Sequence, residues 1–526
     1  MCDGFGSLNF QAPEITRILP CRSQLLQVSS LSHFPTDLTN VNMEPNDHTV
    51  EIQSILSLSE EIIHSAARKH PSNLRPKLGA FPPGEYDNVQ RESIGVNFSI
   101  PLSFDDGSEW VVKFPLNSRT SCKLMERKVL SEVATMNWVR QNTKIPVPAV
   151  HASDAVGTAE WNTTCRPCII VDRIKGHNIG NEEWLKLKKP QQLRVLIQIA
   201  EVVAELGAKQ FDRIGSLYES SPGNFFVGPL ADLQCNEFCM NGAHSDLFLA
   251  QQSPYRTVME YCLDMANMRL LFESLNKPAV TERFAAMWLF RSLLPALVIN
   301  DFDHGPFVLR HGNLRRSVVF FDEGYTLTGV NNWEWSKTIP IQSATVHPPF
   351  TEVFPFTTIT PDNARWFLKL HDRFQTLLKG REIKQAELTG QQALVQTELR
   401  EKAKPFLTIE YILSSGLLHL DTSFWSTVFE PMFGNVDRQQ FMGLYFTAPG
   451  VVAEFQRIQA FIKHYVYNTL VFWSKLPALR CNSVGKRWWT VKGMVRAQAI
   501  DVWERSDTIF KIINAISSVL RRSYRN

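Results

Sequence analysis

At Ser93 the apolar residues of this chain begin to alternate with polar ones, and at Ser121 they switch to helical spacing. Ile94–Phe104 leads into Asp105-Asp106-Gly107, and Trp110-Val111-Val112-Lys113-Phe114 leaves it. Asp and Gly tolerate the positive φ of a tight turn, so this stretch predicts a β-hairpin. A charged helix is expected from about Ser121 to Asn142, with Leu124, Val129, Val133, Met136 and Val139 at helical spacing. Pro146-Val147-Pro148 closes that segment, and Cys168-Ile169-Ile170-Val171 then reads as a short buried strand ending at Lys175-Gly176.

The remainder reads as mainly helical. Gln191–Gly207 is amphipathic, and so is Val280–Ile299 up to Pro295. One hairpin interrupts it, Val318–Phe321 and Tyr325–Val330 around Asp322-Glu323-Gly324, and helical patterns resume from Thr360. A hairpin-rich unit, a helix, a short strand and a helical unit make an α+β pattern in two lobes. The expected organisation is residues 1–80 as an N-terminal extension, 81–175 as a small β-rich lobe, 176–475 as a large helical lobe and 476–526 as a basic helical tail. Within the extension, residues 1 to about 46 read as disordered. One helix follows, capped by Asp47 or Thr49, with Ile52, Ile55, Leu56, Ile62, Ile63 and Ala66 on one face. Pro76–Gly84 reads as a linker.

Composition excludes several classes. A net charge of +3 over 526 residues gives no whole-chain case for binding nucleic acid. The most apolar windows, Phe284–Ile299 and Tyr465–Trp473, are interrupted or too short for a membrane span. Met1–Asn9 lacks the basic start and apolar core of a signal peptide, and Cys2 replaces the glycine of a myristoylation pattern. A cytoplasmic protein is therefore expected. Cys165–Cys168 and Cys235–Cys239 lack partner pairs at zinc-site spacing and read as reduced thiols.

Three segments then fall in a telling order: His311-Gly312-Asn313-Leu314, Val318-Val319-Phe320-Phe321-Asp322, and Gly329-Val330-Asn331-Asn332-Trp333-Glu334-Trp335. With Ser131-Glu132-Val133-Ala134-Thr135-Met136, Ile145-Pro146-Val147-Pro148 and Phe211–Tyr218, they resemble the fungal branch of the aminoglycoside-phosphotransferase family. That family lies within the protein-kinase-like superfamily. The likeness runs from about Tyr86 to Pro349 and weakens toward residue 475. It implies a protein-kinase-like fold with a small β-rich lobe and a large, mainly helical one. It implies ATP as the nucleotide, with Lys113 on its phosphates and Glu132 as the partner of that lysine. Ile170 and Val171 of the hinge strand join them as nucleotide-binding positions.

The departures fall on the chemistry. The family runs His-Gly-Asp-Leu, then Asn, then Ile-Asp-Trp-Glu. Asn313 stands at the catalytic aspartate, and His311 reads as structural. Val318 and Asn332 stand at the two metal-binding positions, so no metal ligand is intact and Mg²⁺ is not expected. A neutral amide cannot take a proton from a substrate hydroxyl at neutral pH, and valine has no lone pair. The phosphate loop Gly95-Val96-Asn97-Phe98 has one glycine. The leading expectation is a pseudokinase-like binding or regulatory module whose small-molecule or protein partner the sequence leaves unidentified. Two alternatives stay open: an active phosphotransferase acting on a small-molecule hydroxyl or amine, and a cleft reused in a secondary metabolic pathway. Glu334, two residues past Asn332, reads as packing within Trp-Glu-Trp.

The tail carries ten Lys or Arg against three acidic residues from Leu476 to Asn526. Its apolar stripe, Trp503, Ile509, Ile512, Ile513, Ile516 and Leu520, reads as a docked helix.

Overall fold

The computed structural model describes residues 46–79, 96–241, 254–276, 282–345, 348–351, 361–389, 424–425, 429 and 436–447. The expectations for residues 1–45, for Gly95 and for the basic tail lie outside these.

Two helices come first, α1 (Asn46–Leu56) and α2 (Ser59–Ala67), then strand β1 (Lys77–Leu78). One helix was expected; the chain instead breaks at Ser57-Leu58, and α1 begins at Asn46, before both predicted caps. β1 lies within the predicted linker, where Lys77 and Leu78 pair with Ser103 and Leu102. β2 (Asn97–Ser103) and β3 (Glu109–Pro115) form the expected hairpin, in register from Asn97↔Pro115 to Ser103↔Glu109. Its turn needs Gly107 at φ 83° and Asp106, whose Oδ1 accepts the Ser108 N–H at 2.9 Å. Helix α3 (Cys122–Asn142), β4 (Val150–Asp154) and β5 (Cys168–Asp172) complete the small lobe. Its antiparallel sheet runs β1-β2-β3-β5-β4.

Alternation gives this sheet two different faces. Phe98, Ile100, Trp110, Val112 and Ile170 are buried against Ile52, Ile55, Ile62 and Ala66 of α1 and α2. The other face carries Asn97, Ser99, Val111 and Lys113. On that side Ile169 and Val171 pack with Val129 and Met136 of α3.

The large lobe begins with β6 (His177–Asn178), α4 (Asn181–Lys186) and α5 (Lys189–Gly207), followed by β7 (Gln210–Phe211), β8 (Ser216–Ser221) and β9 (Asn224–Gly228). Helices α6 (Leu233–Asn241), α7 (Val258–Asn276) and α8 (Glu282–Leu297) precede β10 (Phe307–Arg310). Then come β11 (Val319–Phe321), β12 (Leu327–Val330), β13 (Lys337–Pro340), α9 (Pro361–Thr389) and α10 (Arg438–Thr447).

This lobe holds more strand than expected. β11 and β12 form the predicted hairpin and β6 joins its edge. In addition β8 pairs β9, and β10 lies between β13 and β7. These strands are short and mixed in polarity, so neither period stands out along them. Helix α8 also differs from its amphipathic reading. Every residue from Phe284 to Leu294 is buried, and the helix continues past Pro295 to Leu297, at the loss of the backbone bond a proline cannot donate. A helix covered on all sides belongs at the centre of a lobe. It packs with Tyr261 and Met265 of α7 and with Phe441 and Tyr445 of α10.

A second core positions the site. Val129 and Met136 of α3, Val171 of β5, Ile199 of α5, and Leu309, Leu314 and Trp333 from the segments flanking the His311 loop are buried in one cluster. The helix that carries Glu132 and the loop that carries Asn313 therefore share one packed support.

Candidate active site

Strand β3 presents Lys113 on the face opposite α1 and α2, and α3 presents Glu132 toward it. Both side chains are within 1% of full burial. Lys113 Nζ donates to Glu132 Oε1 at 3.3 Å, to Asn331 Oδ1 at 2.8 Å and to Asn332 Oδ1 at 3.4 Å. A fully buried ammonium group costs several kcal/mol unless it is paired and hydrogen-bonded. Three oxygens meet that need here.

Glu132 has a second cation. One helical turn earlier, Lys128 Nζ donates to Glu132 Oε2 at 3.2 Å and to Asn97 Oδ1 at 2.7 Å. It also lies 5.7 Å from the ring centre of Trp335. Burial alone would push the Glu132 carboxyl up, but the charges of Lys128 and Lys113 outweigh it and hold the group below the usual range.

The His311 loop leaves β10 and is braced from within. His311 Nδ1 accepts the Asn313 N–H at 3.0 Å, which assigns the ring proton to Nε2, and Nε2 lies 2.9 Å from the Asn331 carbonyl oxygen. Burial, reinforced by the charge of Lys113, lowers its pKa to about 4 even though the Asn331 carbonyl opposes the shift. The ring is neutral at pH 7 and ties the two loops together. Gly312 fits because it has no side chain: a Cβ there would meet Glu334 O and Trp335 C at 2.6 Å. Asn332 and Trp335 both sit at positive φ, 55° and 62°. Asn accepts that conformation readily, whereas Trp adopts it at a cost of about 1–2 kcal/mol.

The remaining predicted positions divide by place. Asn313 is half-buried beside His311. Val318 is buried in the second core and contributes only its carbonyl oxygen, which accepts the Asn331 N–H at 2.8 Å. Of the two hinge residues, Val171 faces the Lys113 side, while strand alternation turns the Ile170 side chain into the outer core under α1 and α2. Glu334 is 8% exposed, and its Oε2 has no hydrogen-bond partner among the described residues. Burial and the nearby charge of Glu132 push its carboxyl up, against the pull of Lys128 and Lys113.

These donors do not fit Mg²⁺, which prefers one or two carboxylates together with phosphate oxygens. Asn332 offers a neutral oxygen already turned to an ammonium group, and Val318 offers no side-chain oxygen. Among the described residues no group of three His, Cys, Asp or Glu side chains could hold a metal. The nucleotide side fits better, because Lys113 and Glu132 stand in the arrangement that holds a lysine toward phosphate.

Three contributors escaped the sequence reading: Asn331, Lys128 and Asn97. Spacing alone could have flagged Lys128, four residues before Glu132 on one helix face. Nothing local marks Asn331 above its neighbour Asn332.

No family model matches the chain. A subtelomeric hrmA-associated cluster protein of Aspergillus fumigatus is 34% identical over 111 residues, 19% of this chain and 21% of that protein. The chain thus spans about a fifth of the length of the first curated relatives it matches. Clavilactone A biosynthesis cluster protein Y of Ampulloclitocybe clavipes is 24% identical over 345 residues, 63% of this chain and 76% of that protein. Among solved structures, a Ralstonia eutropha protein described as an aminoglycoside phosphotransferase matches with a TM-score of 0.41 at 10% identity. It covers 88% of this chain and 98% of its own. Macrolide 2'-phosphotransferase type I matches with a TM-score of 0.36 at 13% identity, covering 70% and 92%. No helix among the described residues is long and apolar enough to cross a membrane. By its own strand order, its strand-lysine and helix-glutamate pair and the order of its loops, the chain has a two-lobed protein-kinase-like fold and resembles the aminoglycoside phosphotransferases.

Proposed function

We propose that this chain is a nucleotide-binding module of pseudokinase type, which holds ATP without a divalent metal and lacks efficient phosphoryl transfer. The observation that carries the reading is the surroundings of Lys113: one carboxylate, from Glu132, and two neutral amides, from Asn331 and Asn332. The lysine that would meet phosphate is retained and held. The carboxylate that would bring a metal is replaced by an amide, and so is the general base. Loss of a general base alone lowers a rate by about 10²–10⁴. The product of such a module is a conformation rather than a phosphate ester. Its downstream partner is a small molecule or another protein.

The test is a thermal-shift titration of the full chain with ATP in EDTA and again with excess Mg²⁺. The reading expects a shift of similar size in both. A shift that appears only with Mg²⁺ would overturn the metal-free reading, and labelled phosphate transferred from ATP to a hydroxylated or aminated metabolite and abolished by Lys113→Ala would establish an active phosphotransferase instead.

A further inference from the structure

The cluster around Glu132 pairs two ammonium groups with one carboxylate. Two ammonium groups, Lys113 and Lys128, share the two oxygens of one buried carboxylate at 3.3 and 3.2 Å. The remaining acid nearby is Glu334, whose Oε2 is buried without a partner and so is not paired to either lysine through that atom. The other groups on the lysines are neutral: the oxygens of Asn97, Asn331 and Asn332 and the ring of Trp335. His311, packed against the same loop, is also neutral. Buried charge is stable when matched, and here two lysines share a single ion-pair partner, Glu132.

Strand register says where that charge lies. Asn97, which holds Lys128, is the first residue of β2 and pairs with Pro115; Ser99 pairs with Lys113. Directly paired residues lie on one face, so Asn97 stands on the Lys113 face, two residues nearer the end of β2 that meets the β1–β2 connection. Lys128 is thus tied through Asn97 to the same sheet face as Lys113, the lysine proposed above to meet phosphate. Asn97 Nδ2 is itself buried with no partner among the described residues, a donor left over once its oxygen is committed to Lys128.

We infer that Lys128 is a second phosphate-binding cation, which with Lys113 and the Asn97 amide receives the polyphosphate of a nucleoside di- or triphosphate in place of a divalent ion. This rests on the reading of the cleft as a metal-independent nucleotide site and names the group that makes it so. Charge-assisted hydrogen bonds to phosphate are about twice as strong as neutral ones, so a second ammonium offsets part of what the lost carboxylates and their metal would supply. Lys128 leaves Glu132 with its other lysine when it turns to phosphate, so ligand binding need not strand that carboxylate.

The experiment is calorimetric titration of the full chain in EDTA with AMP, ADP, ATP and inorganic triphosphate, using wild type, Lys128→Met and Lys128→Arg, each checked for folding by circular dichroism. Expected results are affinity rising with phosphate number, a loss of about tenfold or more for ATP in Lys128→Met, and near wild-type binding in Lys128→Arg. AMP should be nearly indifferent to either substitution. If wild type binds ATP and folded Lys128→Met binds it equally well, this inference falls while the nucleotide-binding reading stands. If wild type binds no nucleotide in EDTA, both fall. Should Lys128→Met fail to fold, equal wild-type affinity for AMP and ATP would by itself overturn the proposal.

Discussion

Lys113 Nζ lies closer to Asn331 Oδ1, at 2.8 Å, than to the Glu132 carboxylate, at 3.3 Å. The amide therefore shares with Glu132 in holding a buried ammonium group. Removing the lysine leaves Glu132 with one cation and Asn331 with none. Lys113→Met should destabilise the fold by about 3 kcal/mol, within the range for breaking a buried pair. In a double-mutant cycle with Glu132→Gln the coupling should be at least about 1 kcal/mol, read from denaturant unfolding.

Restoring the acids should restore the metal. In a triple variant Asn313→Asp, Val318→Asn, Asn332→Asp, the cleft regains two carboxylates and one amide. Asp tolerates the positive φ at position 332 as Asn does. Thermal stabilisation by ATP should become dependent on Mg²⁺, whereas the wild type is expected to give the same shift in EDTA. A triple variant indifferent to Mg²⁺ would mean that the family positions were misassigned.

His311 should leave a mark on acid stability. Its folded pKa of about 4 lies below the ordinary 6.5, so the unfolded chain binds more protons between those values. Stability is lost as pH falls from about 6.5 toward 4, by up to about 3 kcal/mol. Protonation also ends the acceptance of the Asn313 N–H at Nδ1. The difference in unfolding free energy between wild type and His311→Gln should grow across that window as pH rises, and a flat difference would place the ring in water.

Glu334 should act in the opposite sense. Its folded carboxyl is raised above the ordinary 4.5, so its contribution is complete below that pH and is lost as pH climbs through the raised value. Glu334→Gln removes the titration but keeps the shape. Melting temperatures recorded from pH 4 to 8 should show wild type losing ground to Glu334→Gln as pH rises.

Gly312→Ala tests the close approach of two loops. The added methyl group meets backbone at 2.6 Å from both Glu334 and Trp335, and backbone cannot rotate away. A loss of about 2–4 kcal/mol is expected by chemical denaturation.

What could be read from the sequence follows from how local each signal is. The β2–β3 hairpin was legible because Asp106 and Gly107 punctuate an alternating run, and α3 because its apolar spacing is regular. Lys113 and Glu132 came with them. The role of Lys128 was not legible in the same way. Its spacing to Glu132 is local, but its second partner, Asn97, is 31 residues away and arrives only when β2 docks. Which of two consecutive asparagines makes the shorter bond to Lys113 depends on the 55° φ of Asn332, a property of the folded loop. The strands β8, β9, β10 and β13 went unread because neighbours, not propensity, make short strands of mixed polarity.

Helices α1 and α2 turn the small lobe from a sheet with a bare back into a layered slab. The two layers are one packed unit, since Phe98, Ile100 and Trp110 share a buried cluster with Ile52, Ile55 and Ile62. A recombinant fragment started after Ala67 would expose that aromatic surface to water and aggregate, so the shortest workable version of the small lobe includes α1 and α2.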